Sequence, residues 1–208
     1  MDIKKNNDIK QGTETRILEA AKKVFIRKGL DGSRMQEIAN EAGINKALLH
    51  YYFRSKQKLF EAVFSYAFIK FLPKVTEVLN ADMPFLKKIE IFIDNYIDLL
   101  IENPFLPIFI LNELYRQPEK LIYLIRSSGI HPEVLLDQIK LEIDKGKIIR
   151  VKPEHLIVNI ISLCIFPFAG QPIIEGFIFG GDKAKYSGFI AERKVEVKKF
   201  IINSISKR

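Results

Sequence analysis

Apolar residues recur at helical spacing along almost the whole chain. Between Thr13 and Lys28, the positions Ile17, Leu18, Ala21, Val24 and Phe25 form one stripe that ends near Gly29, predicting a helix of several turns. Met35, Ile38, Ala39 and Ala42 give a second, shorter stripe. Ser33 stands three residues before Gln36, the spacing of a capping box that would start this helix at Arg34. Gly43 suits the left-handed residue that commonly closes a helix, and Ile44 supplies the apolar contact beside it. Asn45 is placed to cap a third helix, whose Leu49, Tyr52 and Phe53 fall on one side. At 100° per residue Ala47 and Tyr51 point the other way, flanked by Leu48 and His50. Ser55 opens a long helix with Leu59, Phe60, Val63, Phe64, Ala67, Phe71 and Val75 in register.

Two short helices joined by a glycine turn, the second crowded with Lys, His and Tyr, are the pattern of a helix-turn-helix that reads duplex DNA. A third helix of about nine residues does not persist alone in water, so the flanking helices must brace it. Residues 33–56 hold the motif, inside a head that ends near residue 60.

From about residue 80 onward the pattern stays helical. Proline at the first helical position marks starts at Pro104, Pro118, Pro132 and Pro153. Ile89, Ile93, Tyr96, Ile97 and Leu100 share a face over residues 85–101, as do Val134, Leu135, Ile139 and Ile143 over residues 133–145. Phe166 to Gly181 is rich in Phe, Pro and Gly, predicting a broken helix or ordered loop. Phe189 to Ile205 carries Val197, Ile201 and Ile205 at spacing four, a final helix. The expected fold class is all-α. Residues 1–12 read as a flexible arm, residues 13–60 as the helix-turn-helix domain and residues 61–208 as a second helical domain.

Charge sharpens the picture at one end only. The formal net charge is +8, and the first 60 residues hold 13 Lys/Arg against 7 Asp/Glu. The positive field therefore sits on the head, which favours a polyanion. A single cysteine, Cys164, rules out an intrachain disulfide and suits a reducing cytoplasm. MDIKKNNDIK is polar and unlike a signal peptide. Leu156 to Ile174 runs uncharged but is interrupted by Asn159, Pro167, Gly170, Gln171 and Pro172, so it reads as a buried core or dimer helix and no membrane partner is expected. The three histidines, at 50, 131 and 155, lack metal-ligand spacing, and no nucleotide, hydrolase or zinc motif appears, so neither a metal, a cofactor nor catalysis is expected.

Candidate DNA contacts follow from position. Lys46, in the first turn of the reading helix, can reach a guanine edge or a phosphate, and Ala47 can meet a thymine methyl. Leu48 and His50 flank that face, and a histidine phosphate contact there would respond to pH. Gln36 can read adenine or close the capping box, and Tyr51 can hold a phosphate or pack beneath the helix. Lys56 is placed for a phosphate at the following helix start, Thr13, Thr15 and Ser33 are further phosphate or capping positions, and Arg34 is a further DNA-binding candidate.

ILEAAKKVFIRKG, then MQEIANEAGI, then NKALLHYYFRSKQKLF, covering about Thr15 to Val63, resemble the DNA-binding domain of the TetR family of transcriptional regulators. The chain departs from the usual pattern at His50, where most members carry Tyr, and at Leu48, where many carry a small polar residue. The resemblance implies a ligand-responsive regulator, a repressor by preference, that binds a palindromic operator on double-stranded DNA as a homodimer. It places dimerisation on the last two long helices, about residues 154–180 and 189–205, and a small-molecule effector in the second domain. Phe92, Tyr96, Phe105, Phe109, Tyr115, Phe166 and Phe168 are the aromatic candidates for lining that pocket, ordinary core packing being the alternative for each. The helix from Ser55 to about Leu79, roughly 37 Å long, would carry the ligand signal. A helical small-molecule-binding protein or enzyme and a basic protein on anionic membranes are the competing classes.

Overall fold

The computed structural model describes residues 2–207, with side chains from Gly12 onward. Helices account for the architecture, and the described residues contain no strand, only an isolated bridge between Ile148 and Ser206. The chain divides into a unit ending at Phe68 and a unit beginning at Ile69, a later boundary than residue 60.

In the first unit, α1 (Asp2–Gly32) leaves helical geometry at Gly29, whose φ of 69° is left-handed. Residues 2–12, read from sequence as an arm, carry helical backbone continuous with it. Ile17, Leu18, Ala21, Val24 and Phe25 are all buried. They are joined by Ile38, Ala39 and Ala42 of α2 (Met35–Glu41) with its C-cap, and by Leu49 of α3 (Lys46–Tyr52) with Phe53 beyond it. The first turns of α4 (Lys56–Asn80) close this core with Leu59, Phe60, Val63 and Phe64. Phe60 meets Phe25 edge-on at 5.2 Å and Phe64 at 4.6 Å, geometries that favour aromatic pairs.

The second unit is built on α5 (Phe85–Glu102), whose Ile89, Ile93, Tyr96, Ile97 and Leu100 are buried as one stripe. That stripe packs on α9 (Pro153–Ala169) and α11 (Lys183–Ile205), where Leu156, Ile160, Cys164 and Phe168, then Val197, Ile201 and Ile205, face inward. α6 (Leu106–Arg116), α7 (Pro118–Ser127) and α8 (Pro132–Asp144) complete it. Pro118, Pro132 and Pro153 each open a helix, but Pro104 lies in a turn and α6 starts at Leu106 with Pro107 in its first turn. Val134 is exposed rather than packed, so α8 faces inward through Ile139 and Glu142 instead.

The uncharged run breaks where proline and glycine demand it. α9 ends at Gly170, α10 (Gln171–Ile173) passes into a π-helical turn over Ile174–Ile178, and the axis bends by 62°. No single helix among the described residues is long and apolar enough to cross a membrane. α11 begins six residues earlier than its apolar spacing indicates, because Asp182 accepts from the Ala184 and Lys185 amides at 3.0 and 3.1 Å.

Candidate nucleic-acid interface

The turn between α2 and α3 is fixed by backbone chemistry. Gly43 takes φ 63°, which lets its amide donate to the Asn40 carbonyl at 3.1 Å and the Ile44 amide to Ala39 at 3.0 Å. These are the two bonds of a Schellman closure. Asn45 Oδ1 then accepts from the Leu48 amide at 2.7 Å and starts α3. With Leu49 fully buried and Phe53 nearly so, the helix has only one orientation in which its apolar side is covered. Ala47, Leu48, His50 and Tyr51 are left exposed, Tyr51 at 67% with its ring edge-on to Tyr52 at 5.5 Å.

The cations divide into two groups. Arg27 and Lys28 of α1 pair with Glu41 and Glu37 of α2 at 3.0 and 2.7 Å, fastening the two helices. The Lys28 hydrogen bond holds the Glu37 carboxyl below its usual range. Arg34, Lys46 and Arg54 are exposed and make no ion pair among the described residues, although the Arg34 charge helps to lower the Glu37 carboxyl. Arg54, just past α3, is absent from the sequence-derived candidates, although the basic run from Arg54 to Lys58 carries the signal.

Ser33 and Lys56, two of the expected phosphate positions, make hydrogen bonds within the chain. Ser33 is 2% exposed and its hydroxyl donates to the Gly29 carbonyl at 2.5 Å, while Gln36 donates to Asn40 Oδ1 at 2.9 Å. The capping box expected from the sequence therefore does not form, and Arg34 is the N-cap with no side-chain bond. Lys56 Nζ donates to the Asp31 and Ser33 carbonyls at 3.2 and 3.0 Å, so it clamps the α1–α2 turn with two of its three donors. Thr13 and Thr15 are half-buried on α1, and Gln36 is exposed.

In the second unit the aromatic candidates separate by exposure. Tyr96, Phe109 and Phe168 are buried and Phe92 and Phe105 half-buried. Tyr96 stacks on Phe71 at 5.6 Å and meets Phe92 at the same distance. Burial, with a smaller contribution from nearby Cys164, pushes its phenol far above the usual range. Tyr115 is 90% exposed and Phe166 63%, so neither lines an interior, because helical spacing alone cannot say which of two apolar faces turns inward. Sequence reasoning passed over Arg193: it lies on the Phe189 ring at 5.4 Å and donates to the Leu163 carbonyl at 3.0 Å, and its Nε is buried without a partner. The described residues contain no cluster of His, Cys, Asp and Glu fit for a metal.

Residues 17–63 match the family of bacterial regulatory proteins designated tetR. The transcriptional repressor NicS of Pseudomonas putida is 41% identical over 59 residues, 28% of either chain, so the match spans little more than a quarter of that relative. The transcriptional regulator YfiR of Bacillus subtilis is 25% identical over 207 residues, 95% of this chain and 96% of its own. Among solved structures, HlyIIR, a hemolysin II transcriptional regulator, superposes with a TM-score of 0.56 at 25% identity, covering 95% of this chain and 99% of its own.

Proposed function

We propose that the chain, whose residues 17–63 match the tetR family of bacterial regulatory proteins, is as a whole a ligand-responsive repressor of that family, which binds a palindromic operator as a homodimer in the cytoplasm. The observation that carries this is α3 itself: a helix capped by Asn45, anchored through Leu49 and Phe53, with Ala47 and Tyr51 turned to solvent. Lys46 reaches a base edge or phosphate, while Tyr51, Arg34 and Arg54 hold phosphates. A two-fold dimer sets two such helices in successive major grooves about 34–36 Å apart, which makes the operator palindromic.

Two features of the second unit support the remainder. Large apolar side chains stay exposed on its last helices, including Phe166, Phe177 and Phe200, apolar surface of the kind a second copy would cover. Tyr96, stacked with Phe71 and Phe92, and Arg193, which lies on the Phe189 ring with its Nε buried and unpartnered, are the polar groups that would orient a mainly apolar effector. The effector would act by favouring a dimer whose heads are misplaced on the operator, with α4 carrying the change.

Fluorescence anisotropy on labelled duplexes tests the proposal. Affinity should fall steeply with salt, and one palindrome should be preferred over random duplex by at least about a thousandfold. Lys46→Ala should weaken binding, at one base step if it reads a base and across all sequences if it holds phosphate. Equal affinity for every duplex, or none at low salt, would refute the reading.

A further inference from the structure

The side chains that α3 turns outward are poor in groups that read base edges by hydrogen bonds. Between Lys46 and Tyr52 there is no Arg, Asn or Gln, the residues that pair bidentately with guanine or adenine, and Lys46 is the one long cation. Ala47 occupies the centre of the outward face. Leu48 stands on its flank, 36% exposed, on a helix whose other side already holds Leu49 and Phe53 in the core.

We infer that this helix recognises its half-site chiefly through thymine C5-methyl groups, with Leu48 and Ala47 as the apolar contacts. The inference rests on the DNA-reading role proposed above. In the major groove the thymine methyl is the apolar group that a base pair offers, beside acceptors and amino donors. Setting Leu48 against cytosine N4 or a phosphate oxygen would strip those polar atoms of water and return no hydrogen bond. Against a methyl, the same side chain buries apolar surface on both partners. Lys46, His50 and Tyr51 surround the pair with polar groups able to fix register on the backbone.

Replacing thymine by deoxyuridine removes that methyl and leaves every hydrogen-bonding group of the base in place. The full-length chain is used to select its preferred duplex from a random pool, and each thymine in the half-site is then exchanged singly. About one or two positions should lose roughly three- to fivefold in affinity, the effect of one buried methyl. Leu48→Ala should abolish the loss at one of them while binding the deoxyuridine duplex as well as the native chain does, and Ala47→Gly should do so at a neighbouring one. Both side chains are exposed, and a cooperative circular dichroism melt, lowered only by the cost of a helical glycine in Ala47→Gly, confirms that the head still folds. A selective interaction that tolerates deoxyuridine at every position would overturn this inference and leave the DNA-binding proposal standing. Failure to bind any duplex would overturn both, and methyl-sensitive positions indifferent to either variant would overturn the assignment to Leu48 and Ala47.

Discussion

Cys164 shows how far one side chain is governed by its surroundings. It is 1% exposed in α9, and burial pushes its thiol up to about 12, only partly offset by the positive field of Arg193. Ellman's reagent should therefore leave it almost unlabelled in the native protein at pH 8 and react fully after unfolding. The sign of the linkage is set by the raised value: the neutral thiol is the form the fold favours, so its contribution is complete below the ordinary value of 9.0 and lost as pH climbs from there to about 12. Chemical denaturation across that range should show declining stability, less so in Cys164→Ala. The sequence identifies Cys164 as lone, and only packing makes it inert. Lys56 and Ser33 teach the same lesson at the head, where residues with the right chemistry for phosphate are spent on backbone carbonyls.

The α2–α3 turn allows sharper predictions, because its two determinants act through separate mechanisms. Asn45→Ala removes the bond to the Leu48 amide and should destabilise the head by about 1 kcal/mol. Gly43→Ala adds a Cβ that meets nothing within 4 Å, so its cost of about 1–2 kcal/mol comes from the left-handed backbone alone. Urea titrations followed by circular dichroism would check both, and Gly43→Asn should recover part of the loss because asparagine tolerates that conformation. This turn was legible because its signals are local: a glycine, an asparagine and an apolar pair within a few residues. The start of α6 was not, since Pro104 and Pro107 both satisfy the first-turn preference and packing of Leu106, fully buried, selects the later one. Nor was Lys88, which is buried on α5 with its ammonium donating to the Leu79 carbonyl at 2.6 Å, a cation set against the C-terminal end of α4.

On the scale of the whole molecule, the exposed apolar surface of the last helices gives the dimer proposal its test. Phe177, 87% exposed on the π-helical turn, should when changed to Asp shift the protein toward monomer in sedimentation velocity and weaken operator binding, whereas Tyr115→Asp on α6 should alter neither. The stripes on α1, α4, α5 and α11, the caps at Asn45 and Ser55, and the concentration of positive charge in the head depend on residues a few positions apart, so the sequence by itself determined most of the helices, their order and the outward face of α3. Which of two apolar faces turns inward, as at Val134 and Phe166, which lysine meets a carbonyl instead of solvent, and where the run after Leu156 bends were decided only in three dimensions. There, groups far apart in the chain compete for the same buried space and the same hydrogen-bond partners, and no spacing rule within one segment records who prevails.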